Sequence, residues 1–191
     1  MRDHCAELRW YRSGLTGGKY DAIIAGMSIT AKRREVIDFT QPYVSSPSQF
    51  ATLKGGGLEG LPGSGGRFDL GTDEAGAKAA IDAMKVRLKG KVLGVQGSTL
   101  QADFANISLK GVVEVRAYRS SDEVLLELSS GRADAALLSA AVVRAAMEKS
   151  GGQDLVLTGP GFSGGTIKEA TADGTLARLS MLWFKLALTS R

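Results

Sequence analysis

The chain has 191 residues and carries 24 Lys and Arg against 20 Asp and Glu, a net charge of +4. That is room for one large or two small domains, and too mild a charge, with no block of consecutive cations, for a nucleic-acid arm. With one cysteine (Cys5) and one histidine (His4), neither an internal disulfide, a Cys/His metal site nor a histidine-based triad can be assembled.

Along the chain, residues 20–25 (Tyr-Asp-Ala-Ile-Ile-Ala) read as a strand, about 31–36 as a short helix and 48–53 as a strand-like crossover. Nine glycines between Gly55 and Gly76 then mark a loop or linker over 55–71. From Asp73 to Leu88 the apolar positions Ala77, Ala80, Ile81, Met84 and Leu88 recur at helical spacing. A regular alternation follows. Lys91–Gln96 is a strand, Gly97-Ser98-Thr99 a turn opening a helix to about Ile107, and Val112–Ala117 the next strand. Ser120 and Glu123 have capping-box spacing ahead of Leu125, Leu126 and Leu128, and Gly131 ends that helix. Ala133–Leu138 is a strand, Ala140–Lys149 a helix and Leu155–Thr158 a last strand. Strands separated by helices predict a parallel α/β sheet with right-handed crossovers. The apolar run over 133–147 is broken by Asp134 and Arg144 and cannot span a bilayer, and Met1–Leu8 has no apolar region of a signal peptide.

Two turns have the makings of anion sites. The predicted strand Ala22–Ala25 runs into Ser28-Ile29-Thr30 and a short helix carrying Arg33, which brings hydroxyls, helix-start N–H groups and a guanidinium together. On spacing alone this is more often a scaffold with Arg33 on a solvated face. Gly97-Ser98-Thr99 lies at the end of a parallel strand and the start of a helix, where open α/β sheets bind ligands, although alone such a turn is more often just a helix cap. Ser139 follows the strand Ala133–Leu138 and is read either as a site residue or as a cap.

The whole run Lys19–Tyr43, with Phe39-Thr-Gln-Pro-Tyr43 at its end, resembles the signature of the polar amino acid-binding proteins that serve bacterial ABC importers. That resemblance implies a two-lobe, periplasmic-binding-protein-like α/β fold with parallel-sheet lobes. Lobe 1 would comprise residues 1–52 and 166–191, and lobe 2 residues 57–165. The implied ligand-binding set is Gly26, Ser28, Arg33, Ser98, Thr99 and Ser139. Ser28 and Arg33 would clamp a ligand α-carboxylate from lobe 1, and the 97–99 turn would clamp it from lobe 2. Ser139 stands where many members of the family have an aspartate for the α-ammonium, a departure that suits a substituted amine such as an opine's.

The resemblance implies no catalytic residue, metal or cofactor, a periplasmic location, and an importer's membrane permease as partner. The Gly-rich loop and following helix resemble the arginine, ornithine and opine subset. Lobe 1 reads as incomplete, because Gly164-Gly165-Thr166-Ile167 runs directly into the sequence of the family's closing helix, 173–184. Leu8–Leu15 stands where an aromatic–Asp-Gly-Ile-Ile-Pro-Gly-Leu-like run is expected, as if frame-shifted up to Gly14. An incomplete lobe would leave an apolar surface for self-association. The competing readings are a remnant that binds little, and an enzyme on the same fold such as a cyclohexadienyl dehydratase. The latter needs a cleft acid or base, and no candidate is evident in the sequence.

Overall fold

A computed structural model describes residues 8–42, 45–149, 152 and 154–163. The expectations placed on Cys5, His4, Tyr43 and everything after Ser163, including the closing helix 173–184, lie outside these residues. The described chain gathers into two compact units, 8–46 and 47–163.

The larger unit is a three-layer α/β sandwich. Its elements are β1 (Ser48–Leu53), β2 (Arg67–Asp69), α3 (Glu74–Leu88), β3 (Val92–Gln96), α4 (Leu100–Ser108), β4 (Glu114–Tyr118), α5 (Ser121–Ser129), β5 (Ala135–Ser139), α6 (Ala140–Met147) and β6 (Leu155–Ser163). They build one six-stranded sheet in the order β2-β6-β1-β5-β3-β4. β3 pairs in parallel with β4 and β5, and β2 in parallel with β6. β1 is antiparallel to both its neighbours, β5 and β6. The expected alternation over 91–147 is present. The sequence reading differs at β6, which runs in the same direction as β3–β5 but is parted from them by the reversed strand β1.

Alternation of side chains along the central strands divides the core between the two faces. Phe50, Leu93, Val95 and Leu137 pack with Ile81, Met84 and Leu88 of α3 and Ala102 and Ala105 of α4. Ala51, Ala136 and Leu138 pack with Val124, Leu125 and Leu128 of α5 and Val143 of α6. Burial on both faces is why Ala135–Leu138 is apolar without a break. A β-carbon at Gly94 would come within 3.1 Å of Val124 Cγ1, so the glycine sets how closely α5 approaches β3.

Helix starts follow the sequence signals. Asp73 accepts from Gly76 N–H, Thr99 from Ala102 N–H and Ser120 from Glu123 N–H. The Glu123 carboxylate accepts from Arg119 N–H, one residue before the position a capping box prescribes. Gly131 closes α5 at φ 72°. At the end of the same helix Glu127 pairs with Arg132 at 2.6 Å, and this guanidinium holds the carboxyl below its ordinary range.

The Gly-rich segment is an ordered loop. Arg87 of α3 donates to the carbonyls of Gly57, Glu59 and Gly60 at 2.7–3.0 Å. Thr158, 1% exposed, donates to Leu58 O and accepts from Leu61 N–H. These bonds seat Leu58 and Leu61 in the core. The end of the segment, expected as loop to Gly71, forms edge strand β2 beside β6.

In the smaller unit, α1 (Leu8–Thr16) and the single turn α2 (Ala31–Arg34) are helical. The Tyr20 hydroxyl donates to Tyr11 O at 2.6 Å, and a β-carbon at Gly14 would collide with the Tyr20 ring. The strand expected over 20–25 is not formed, and Ile24 is 90% exposed. Its β-branched residues favour a pleated, paired surface, but among the described residues of this unit there is no strand to supply a ladder.

Candidate functional site

Each unit carries one group of the residues singled out in sequence. In unit 8–46, Thr30 precedes α2 and its hydroxyl accepts from Arg33 N–H at 3.2 Å. Arg33, one turn along, folds back so that Nη1 donates to Ser28 O at 2.6 Å. Ser28 and Arg33 are thus held together and both are half-buried, while Gly26 is exposed on the segment leading to them. Because α2 is a single turn, it offers little of the dipole expected of a helix start, and the guanidinium carries the positive charge of this group.

In unit 47–163 the second group lies along one edge of the sheet. Val95 pairs with Leu137, so the turn after β3, Gly97–Thr99, lies beside Ser139, the last residue of β5. Gly97 N–H donates to Tyr118 O at 2.9 Å and anchors the turn to β4. Ser98 is exposed and has φ 59°, the left-handed region that a non-glycine residue rarely adopts. Thr99 is 8% exposed. Its hydroxyl accepts from Ala102 N–H at 3.2 Å, which caps α4, and donates to Gln96 O at 2.7 Å, so its proton is committed to Gln96. Donors toward an anion come from the backbone of the first turn, where N–H groups have no intrahelical acceptor. Ser139 begins α6 without capping it through its side chain.

The antiparallel insertion of β1 adds two residues that the sequence reading did not include. Because β1 runs against its neighbours, its first residue, Ser48, reaches the edge where β5 ends, opposite Ser139. Gln101 of α4 donates from Nε2 to Ser48 Oγ at 3.0 Å. The side chains Ser48, Ser98, Thr99, Gln101 and Ser139 make this edge one of hydroxyls and an amide. The opposite edge differs. A cavity of about 170 Å³ there is lined by Thr52, Lys91, Leu128 and Asp134 among others. Lys91 and Asp134 pair across 3.2 Å, and Asp134 also accepts from Val92 N–H.

The hydroxyls, amide and helix-start N–H groups of unit 47–163 can hold carboxylate and polar groups by hydrogen bonds, and so, separately, can the guanidinium of unit 8–46. Among the described residues there is no cluster of His, Cys, Asp or Glu suited to a metal ion, and no helix long and apolar enough to cross a membrane.

Residues 10–127 match the family described as bacterial extracellular solute-binding proteins, family 3. The chain is 41% identical over 150 residues to the octopine-binding periplasmic protein of Rhizobium meliloti, which covers 78% of this chain and 51% of that protein. It is 31% identical over 166 residues to the lysine/arginine/ornithine-binding periplasmic protein of Escherichia coli, covering 84% of this chain and 53% of that protein. The chain therefore spans about half the length of these curated relatives. Among solved structures, an ancestral arginine-binding protein bound to glutamine matches with a TM-score of 0.68 at 25% identity, over 94% of this chain and 77% of that chain. The signature read over 19–43 and the fold built by 47–163 lead to one assignment: this chain belongs to family 3 of the bacterial extracellular solute-binding proteins.

Proposed function

We propose that the chain is the solute-recognising component of a bacterial ABC importer, acting in the periplasm and delivering a polar or cationic amino acid, or an opine-type derivative, to a membrane permease. Recognition is by binding without chemistry. Each unit brings its own carboxylate-binding group: Arg33 and Ser28 in unit 8–46, and the Ser98–Thr99 turn in unit 47–163.

The observation that carries the opine reading is Ser139. It ends β5 on an edge of hydroxyls and an amide, opposite Ser48, with no carboxylate at that position to select a free α-ammonium. A neutral acceptor suits a secondary amine bearing a second carboxylate, and the relative at 41% identity is named for octopine. The same edge supports binding over catalysis, since elimination would call for a positioned acid or base.

The test is calorimetric titration and thermal shift of the purified chain with octopine, arginine, ornithine, lysine, histidine and glutamine. A ligand at 100 times its Kd stabilises the folded state by about 2.7 kcal/mol, a readily measured rise in Tm. Octopine should bind more tightly than the free amino acids, to which binding is weak. Silence toward all six ligands would favour a chain that has lost recognition. Sedimentation of the same samples tests self-association through unit 8–46.

A further inference from the structure

Two half-site helices hold the same pair of residues. Pro47 O accepts from Ala140 N–H, at the start of α6, at 2.9 Å. Ser48 Oγ accepts from Gln101 Nε2, in the first turn of α4, at 3.0 Å. Ser48 is also the residue on which the sheet register turns, facing Ser139 on one side and Phe162 on the other. Pro47 and Ser48 are the first residues of unit 47–163 as the chain arrives from unit 8–46. A glutamine in a first helical turn ordinarily points to water. Here it is half-buried, and its amide reaches a hydroxyl 53 residues away in sequence.

We propose that Gln101 is a positioning residue, which through Ser48 ties the ligand-holding turn at 97–99 to Pro47 and Ser48, the first residues of unit 47–163. It acts through Ser48 and not on the ligand. Helix α4 moves as a rigid element, so a carboxylate held at its start loads the Gln101–Ser48 bond. The load is then felt at 47–48, where α6 already has hold of the backbone. Ligand occupancy and the conformation of residues 47–48 thereby become one equilibrium. The proposal rests on the binding function argued above.

The experiment uses the full chain with octopine as probe, and hydrogen exchange of the amides of Ser48–Phe50 as a second readout beside calorimetry. In the parent protein octopine should slow exchange at these amides. Gln101→Ala and Ser48→Ala should each abolish that protection and weaken octopine binding roughly threefold to tenfold, the range for one neutral hydrogen bond. The double variant should be no weaker than either single one, because one bond is lost in all three. Ser48→Thr, which keeps the accepting hydroxyl on a β-branched residue suited to a strand, should behave as the parent. Retained protection in Gln101→Ala, or additive losses in the double variant, would overturn the proposal. So would a lower Tm in the ligand-free variants with protection intact, the mark of a merely structural bond. Failure of the parent itself to bind octopine removes the opine reading and, with it, this coupling. Parent-like binding and protection in the variants removes the coupling alone.

Discussion

The guanidinium of Arg33 lies on the carbonyl oxygen of Ser28 at 2.6 Å, which fixes a long, flexible side chain against the turn that precedes its own helix. One arm of the fork is engaged in holding the side chain in place, so the charge is already oriented. Replacing Arg33 by Lys keeps the charge and loses the planar fork. Arg33→Lys should weaken octopine binding by about 1.5–3 kcal/mol, the range for hydrogen bonds to charged groups. Calorimetry on both proteins checks it, and unchanged affinity would remove Arg33 from the site.

Ser98 holds φ 59° in a turn where glycine would meet no steric penalty. Ser98→Gly should leave stability unchanged or raise it by up to about 1 kcal/mol, and Ser98→Val should lower it by about 1–2 kcal/mol. Urea unfolding of the three proteins measures both. Equal stabilities would show that the turn relaxes to another conformation.

The Gly-rich loop depends on Thr158, whose hydroxyl satisfies Leu58 O and Leu61 N–H inside the core. Thr158→Val conserves shape and strands both groups, so it should cost about 2–3 kcal/mol and open the loop to proteolysis between Gly55 and Gly66. Arg87→Ala removes three bonds at an exposed site and should cost less, about 1 kcal/mol. The reverse order of damage would mean that the loop is held from outside.

Glu127 has its carboxyl held below the ordinary value of 4.5, first by its hydrogen bond from Arg132. A depressed folded-state pKa contributes stability that is present above the unfolded value and lost as pH falls through the folded one. The parent's Tm should therefore drop more steeply than that of Glu127→Gln between roughly pH 5 and pH 3. Parallel curves would show the pair to be fully screened by solvent.

What could be read in advance was local. Helix starts at Asp73, Thr99 and Ser120 carry their own caps, and β3, α4, β4, α5, β5 and α6 follow one another by short turns, so spacing alone located them. Strand β6 was read only to Thr158 because Gly159-Pro160-Gly161 looks like a stop. In the sheet, a register shift between Ser48 and Phe50 accommodates those residues and the strand continues to Ser163. The strand expected at 20–25 failed for the opposite reason: its residues favour a ladder that nothing described in the unit provides. Of the candidate site, Ser98, Thr99 and Ser139 were visible as strand-end residues. Ser48 and Gln101 were not, because their meeting depends on β1 running backwards between β5 and β6, a fact of long-range pairing that no local pattern encodes.

The pairing of Ser48 with Phe162 sets the beginning and end of unit 47–163 on neighbouring strands. A module whose two ends meet looks, to the chain around it, like a tight loop, whatever its size. Such a unit can be carried inside another polypeptide without stretching its host, and can be acquired or exchanged whole in evolution. It can also be permuted: bridging 163 to 47 and opening the chain at the exposed Gly111 turn would preserve every strand pairing, with the ends moved to the far side of β4.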